Sequence, residues 1–105
     1  MKLSLLKNLP ASLPEEVIET LCASGTVRIE RIISRGQASP AGFWYDQEQD
    51  EFVLVLQGRA GLALEGQAEV MVLEPGECLE IKAHVKHRVE WTAPEQETIW
   101  LAVYY

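Results

Sequence analysis

The chain has 105 residues, enough for one domain with its own core and too few for a second. Nine Lys and Arg stand against sixteen Asp and Glu, giving a net charge of -7 and a pI near 4.7. A phosphate backbone would be repelled, so nucleic acid is not an expected partner. Apolar residues at 48% and charged residues at 24% match a folded globular chain and argue against disorder.

The start, Met1 to Asn8, has a lysine and a short apolar run broken at Lys7. It falls short of a signal-peptide core, and no stretch approaches a membrane span, so a cytoplasmic protein that does not engage a membrane is expected. Ser12-Leu13-Pro14-Glu15 carries a capping-box pattern, a hydroxyl followed three residues on by a glutamate. Val17, Ile18, Leu21 and Cys22 then share a helical stripe, and Gly25 can supply a left-handed stop. This spacing predicts one short amphipathic helix covering an apolar sheet, within an N-terminal segment 1–25. Cys22 and Cys78 are too few for a disulfide framework and lack zinc spacing, and burial as small apolar residues is expected for both.

From Thr26 the period changes to about two, which opens the β-barrel portion, residues 26–105. Val27 to Ile33 is rich in β-branched residues and predicts a strand. Gly36 to Gly42 is a loop, and Trp44, Tyr45, Asp46 and Gln47 come where it runs into the next strand. Phe52 to Leu56 is apolar on both faces and predicts a central strand whose outer face needs a cover, from the helix or from a second subunit. Leu62 and Leu64, a turn at Glu65-Gly66-Gln67 and a return over Val70 to Leu73 predict a hairpin, and Pro75-Gly76 a tight turn. Cys78 to Ile81 and His87 to Trp91 predict two more strands, with His87, Val89 and Trp91 on one inward face. Ile99 to Tyr105 closes the chain as an aromatic-rich strand. Short strands with turns at this spacing predict an all-β sandwich or barrel.

Two stretches carry a family resemblance. Gly76, Lys82, His84, His87 and Trp91 keep the spacing of the second motif of the cupin superfamily, in which a glycine, a proline, a glycine, a histidine and an asparagine stand at those places. Glu51 and Gly58 fit the glutamate and glycine that end the family's first motif. That motif's two histidines are replaced by Tyr45 and Gln47 at one permitted spacing, or by Trp44 and Asp46 at the other. The chain thus resembles a small single-domain cupin, an RmlC-like jelly-roll barrel, from about Gly42 to Tyr105. The segment Ser34 to Gln47 is also similar to that of small bacterial cupins, without implication for activity.

The resemblance implies an all-β double-stranded β-helix, here with one short N-terminal helix. It leaves the reaction open, since cupins span dioxygenases, isomerases, epimerases, lyases, binding domains and storage proteins. Some cupins use glutamine among their ligands, so the family implies a divalent metal at Gln47, Glu51 and His87, with manganese, iron, nickel or zinc as candidates. A set this poor in nitrogen donors favours a weakly held ion. Without a metal, Tyr45, Glu51 and His87 are candidates for acid and base chemistry on a small polar ligand. Trp44, Asp46, His84 and Trp91 are candidate ligand contacts. The plainer alternatives are a hydrogen-bonded barrel carboxylate for Glu51, a satisfied core imidazole for His87, ordinary packing for both tryptophans and a solvated loop for His84. A third possibility is a binding module or structural dimer without chemistry, since Phe52 to Leu56 and Trp100, Tyr104 and Tyr105 leave apolar surface that a homodimer would bury.

Overall fold

The computed structural model describes residues 2–105, so Met1, the first residue of the leading stretch, lies outside the described residues. Eight strands are found among them: β1 (Val17–Ser24), β2 (Val27–Ser34), β3 (Glu51–Gln57), β4 (Ala60–Leu64), β5 (Met71–Leu73), β6 (Cys78–Ile81), β7 (His87–Thr92) and β8 (Thr98–Tyr104). They form two antiparallel sheets, one in the order β1-β2-β8-β3-β6 and the other β5-β4-β7. Val53, Val55 and Trp100 of the larger sheet pack with Ala60, Leu62, Leu64 and Leu73 of the smaller one, so the core lies between them.

Period-two patterning explains why the sheets face each other in this sense. Along β3, Glu51, Val53 and Val55 are buried while Phe52, Leu54 and Leu56 are only half-buried. The register Ile32↔Trp100↔Val55 sets a continuous inward row across β2, β8 and β3. The β4–β5 hairpin forms as expected, and Gly76 takes φ +88 after Pro75, a value glycine adopts without steric cost. The double burial predicted for Phe52 to Leu56 is therefore complete on one face only.

The N-terminal helix does not form, and no helix is found among the described residues. Val17–Ser24 is instead an edge strand paired with β2 from Val17↔Ile33 to Ser24↔Val27, and Gly25, at φ +57, opens a two-residue hairpin turn. The stripe of Val17, Ile18, Leu21 and Cys22 is compatible with either period, and an isolated helix this short has little stability of its own. Pairing satisfies the backbone of β2 along its outer edge, and Val17, Glu19 and Leu21 alternate as half-buried positions. Part of the cover expected from the helix comes from an irregular segment ahead of β1. Arg31 Nη1 donates to the carbonyls of Leu5 and Lys7, both at 3.1 Å, and Gln37 Nε2 donates to Leu13 O at 2.8 Å.

Two further expectations are corrected. Cys22 and Cys78 are exposed free thiols on the two edge strands of the larger sheet, not buried apolar residues. Trp91 does not share a face with His87 and Val89, because β7 bulges at Glu90. Leu62 pairs with Val89 but Gly61 pairs with Trp91, and the extra residue reverses the phase of the rest of the strand. Trp91 lies over Gly61 so closely that a Cβ there would stand 2.2 Å from Trp91 Nε1.

Candidate functional site

The facing sheets leave a cavity of about 80 Å³ at one end of the core. Ile18, Ile32, Val53, Ile81 and Trp100 line it from the larger sheet, with Leu62 and Val89 from the smaller. Its polar side chains are Glu16, Tyr45, Gln47, Glu51, His87 and Tyr104. Trp100 and Tyr104, expected to add apolar surface, are instead buried on the inward face of β8, and only Tyr105 is exposed.

The long connection between β2 and β3 runs along the free edge of β7. Ser39 N donates to Val89 O at 2.9 Å, Tyr45 N to His87 O at 2.7 Å, and His87 N to Tyr45 O at 3.1 Å. This bridge gives the segment strand-like alternation, which decides the register the sequence left open. Tyr45 and Gln47 turn to the cavity, whereas Trp44 and Asp46 are exposed and do not line it. Trp44 lies under the Arg88 guanidinium at 6.0 Å. Asp46 Oδ1 lies 2.9 Å from Nδ1 of exposed His84. Trp91 is held on the other face beneath Arg59, at 5.7 Å. Four of the candidate residues, Tyr45, Gln47, Glu51 and His87, are thus brought together, and four are not.

Glu51 opens β3 and His87 opens β7, so the two sheets deliver them to one point. His87 Nε2 stands 3.3 Å from Glu51 Oε1, and the residues are 5% and 7% exposed. His87 Nδ1 lies 3.0 Å from the carbonyl of Val85, which can only accept, so Nδ1 carries a proton. In the neutral ring Nε2 is then a lone pair aimed at an anionic oxygen. Two acceptors this close need a proton or a cation between them. Burial pulls the His87 pKa down, but the hydrogen bonds and charge of Glu51 and Val85 outweigh it and hold the imidazole above its ordinary value.

The Tyr45 ring is stacked on His87 with centroids 5.4 Å apart, and Phe43 meets Tyr45 edge-on at 4.9 Å. Burial, then Glu16 and Glu51, push the Tyr45 phenol up. Burial and the charges of Glu51 and Glu30 push Tyr104 up more strongly, against Gln47 and Arg28. Burial also raises Glu16, opposed by the Ser34 hydroxyl. Tyr45 and Tyr104 therefore stand as hydroxyl donors beside the His87–Glu51 pair.

Glu16, Ile18, Tyr104 and Trp100 line the cavity although sequence patterning assigned none of them to a site. Reading Val17–Ser24 as a strand would have found the first two, because period two places Glu16 and Ile18 on one side. The same alternation along β8 joins Trp100 to Tyr104.

Among the described residues, no group of three or more His, Cys, Asp and Glu side chains gathers as a metal cluster. The cavity does offer one imidazole nitrogen, one carboxylate and one amide in His87, Glu51 and Gln47. The 3.3 Å between the first two suits neighbouring ligands on one ion with bonds of about 2.1 Å. His87 and Glu51 are thus spaced as two ligands of one divalent ion would be, with the Gln47 amide on the same cavity.

A family model described as the cupin domain matches residues 32–104. A crystal structure from Ralstonia eutropha, described as a candidate mannose-6-phosphate isomerase, is 45% identical, with TM-score 0.96 over 99% of this chain and 96% of that one. An RmlC-like cupin with a double-stranded β-helix from Methanocaldococcus jannaschii shares 19% identity at TM-score 0.71, over 92% and 85%. A polyketide cyclase from Streptomyces resistomycificus shares 23% at TM-score 0.73, over 87% of this chain and 65% of that one. No curated protein matches. The two distant structures bear on the fold alone.

Proposed function

This chain is a small single-domain member of the cupin family, and on that premise we propose that it binds a small molecule in the cavity and exchanges a proton with it through His87 and Glu51. The observation that carries this reading is the buried 3.3 Å approach of Nε2 to a carboxylate oxygen across the two sheets. A proton shared there can be lent to a bound ligand and recovered, which is general acid and base work. Tyr45 and Tyr104, held protonated, would donate hydrogen bonds to an oxygen that gains charge. Isomerisation is one reaction built from such transfers, and the 45% identical neighbour is described with that activity.

The same donor spacing favours a second reading, a divalent ion held by His87, Glu51 and Gln47. Bound there, it would polarise a ligand oxygen. The two readings separate by elemental analysis of protein purified without chelator or nickel resin. An ion lost in both Glu51→Ala and His87→Ala supports the second reading. An ion-free protein whose ligand-induced thermal shift disappears in Glu51→Gln and His87→Gln supports the first. A shift that survives both substitutions contradicts each.

The outward row of Phe52, Leu54, Leu101 and Val103 stays half-exposed, and a second copy of the chain is the occupant proposed for it. Sedimentation equilibrium would detect that dimer, and a charge at Leu54 should disperse it.

A further inference from the structure

We infer that the cavity selects an uncharged or cationic ligand with an apolar body, and excludes carboxylates and phosphate esters. The inference rests on the reading of the cavity as a small-molecule site and narrows it to a chemical class. Its basis is where the positive charge lies.

Among the described residues no Lys or Arg lines the cavity, while two carboxylates, Glu16 and Glu51, do. Each of the five arginines is already matched to an acid: Arg28 to Glu30, Arg31 to Glu19, Arg35 to Glu97, Arg59 to Glu95 and Arg88 to Glu90. Lys82 is drawn to Asp50 and Glu80. Arg28 lies over the Tyr104 ring at 4.4 Å, with its Nε held 2.8 Å from Glu30. Any positive charge on His87 is balanced by Glu51 beside it.

An anion entering this space would leave water and meet no unshared counter-ion, and buried charge without a partner is strongly disfavoured. A hydroxyl or an ammonium meets the opposite conditions, because carboxylates and phenol oxygens can accept from it while Ile32, Val53 and Trp100 contact its apolar part. The similarity to a protein described as a candidate mannose-6-phosphate isomerase therefore does not extend to a phosphate-binding cation in this cavity.

The test uses isobutanol, isobutylamine and isobutyrate, alike in shape and differing in charge, together with mannose 6-phosphate. Each is titrated into protein dialysed free of divalent ions, and binding is read from the methyl NMR shifts of Val53, Leu62 and Ile81, which locate it in the cavity. The alcohol and the amine are expected to bind at least tenfold more tightly than isobutyrate, with mannose 6-phosphate silent at the same concentration. Ile18 lines the cavity yet is 57% exposed, so Ile18→Arg adds a cation at the mouth without emptying the core. It should narrow the alcohol-to-isobutyrate ratio at least threefold. Isobutyrate or mannose 6-phosphate binding the wild type as tightly as the alcohol overturns the charge selection and leaves the cavity reading standing. Methyl signals that respond to none of the four probes overturn both.

Discussion

Nε2 of His87 and Oε1 of Glu51 meet at 3.3 Å from opposite sheets, so this contact is both a path for a proton and a tie between the two layers. Its strength must then depend on pH. The folded imidazole titrates above its ordinary value of 6.5, because Glu51 and Val85 together outweigh burial. A pKa raised by folding contributes stability that is fully present below the unfolded value and is lost as pH rises through the folded one. The wild type should accordingly exceed Glu51→Gln in urea midpoint below pH 6.5, with the gap closing as pH rises through the folded His87 midpoint. NMR titration of the ring protons gives that midpoint directly. It is expected to fall in Glu51→Gln, and a wild-type midpoint at or below 6.5 would contradict the pairing.

The bulge in β7 makes its own prediction. Gly61 faces the Trp91 ring, where an added Cβ would stand 2.2 Å from Nε1 and 2.7 Å from Cε2. The ring must move for Gly61→Ala to fold, at a cost of about 1–3 kcal/mol in urea unfolding. Trp91→Leu should relieve part of that penalty, giving a coupling of about 0.5–3 kcal/mol in the double-mutant cycle. A neutral Gly61→Ala would mean that Trp91 does not lie over this glycine.

The fold was legible in the sequence wherever a local rule was sufficient, and obscure wherever a distant contact decided. The Glu51 and His87 strands could be placed because short apolar runs with period two and turn residues at Pro75-Gly76 leave few alternatives. Their meeting was legible only through the family's motif spacing. The face of Trp91 is not legible, because one extra residue at Glu90 inverts the strand's phase and leaves no mark in the hydrophobic pattern. The stripe of Val17 to Cys22 suits both periods, and the otherwise unpaired edge of β2 decides for the strand. The choice between Tyr45 with Gln47 and Trp44 with Asp46 needed the bridge to His87, a contact across the fold. Glu16 stands just ahead of that strand, so its place in the cavity is hidden along with the strand itself.

The same revision of β1 bears on the thiols. Cys22 and Cys78 lie exposed on edge strands, where a reagent can approach without unfolding. Both thiols share the outward face with Phe52 and Leu54, so the monomer, set free by a charge at Leu54, should release two equivalents of thionitrobenzoate from Ellman's reagent without denaturant. Thiols that react only in guanidinium would restore the buried reading.

Arg31 supports the last expectation, because it is the one cation among the described residues that fastens the irregular N-terminal segment to the sheet by two carbonyls. The residue is 8% exposed, takes Glu19 as its counter-ion at 2.6 Å, and directs Nη1 to Leu5 O and Lys7 O. Hydrogen bonds from a charged donor contribute about 1.5–3 kcal/mol each, so losing both should raise local opening of this segment by about a hundredfold or more. Arg31→Met keeps an apolar stem of similar reach on the outer face of β2 and removes only the donors. Limited trypsinolysis after Lys7 should accelerate by that factor in the variant, while far-ultraviolet circular dichroism and the urea midpoint of the barrel change little. Cleavage at the wild-type rate would mean that the segment is held by its apolar contacts and that the guanidinium serves Glu19 alone.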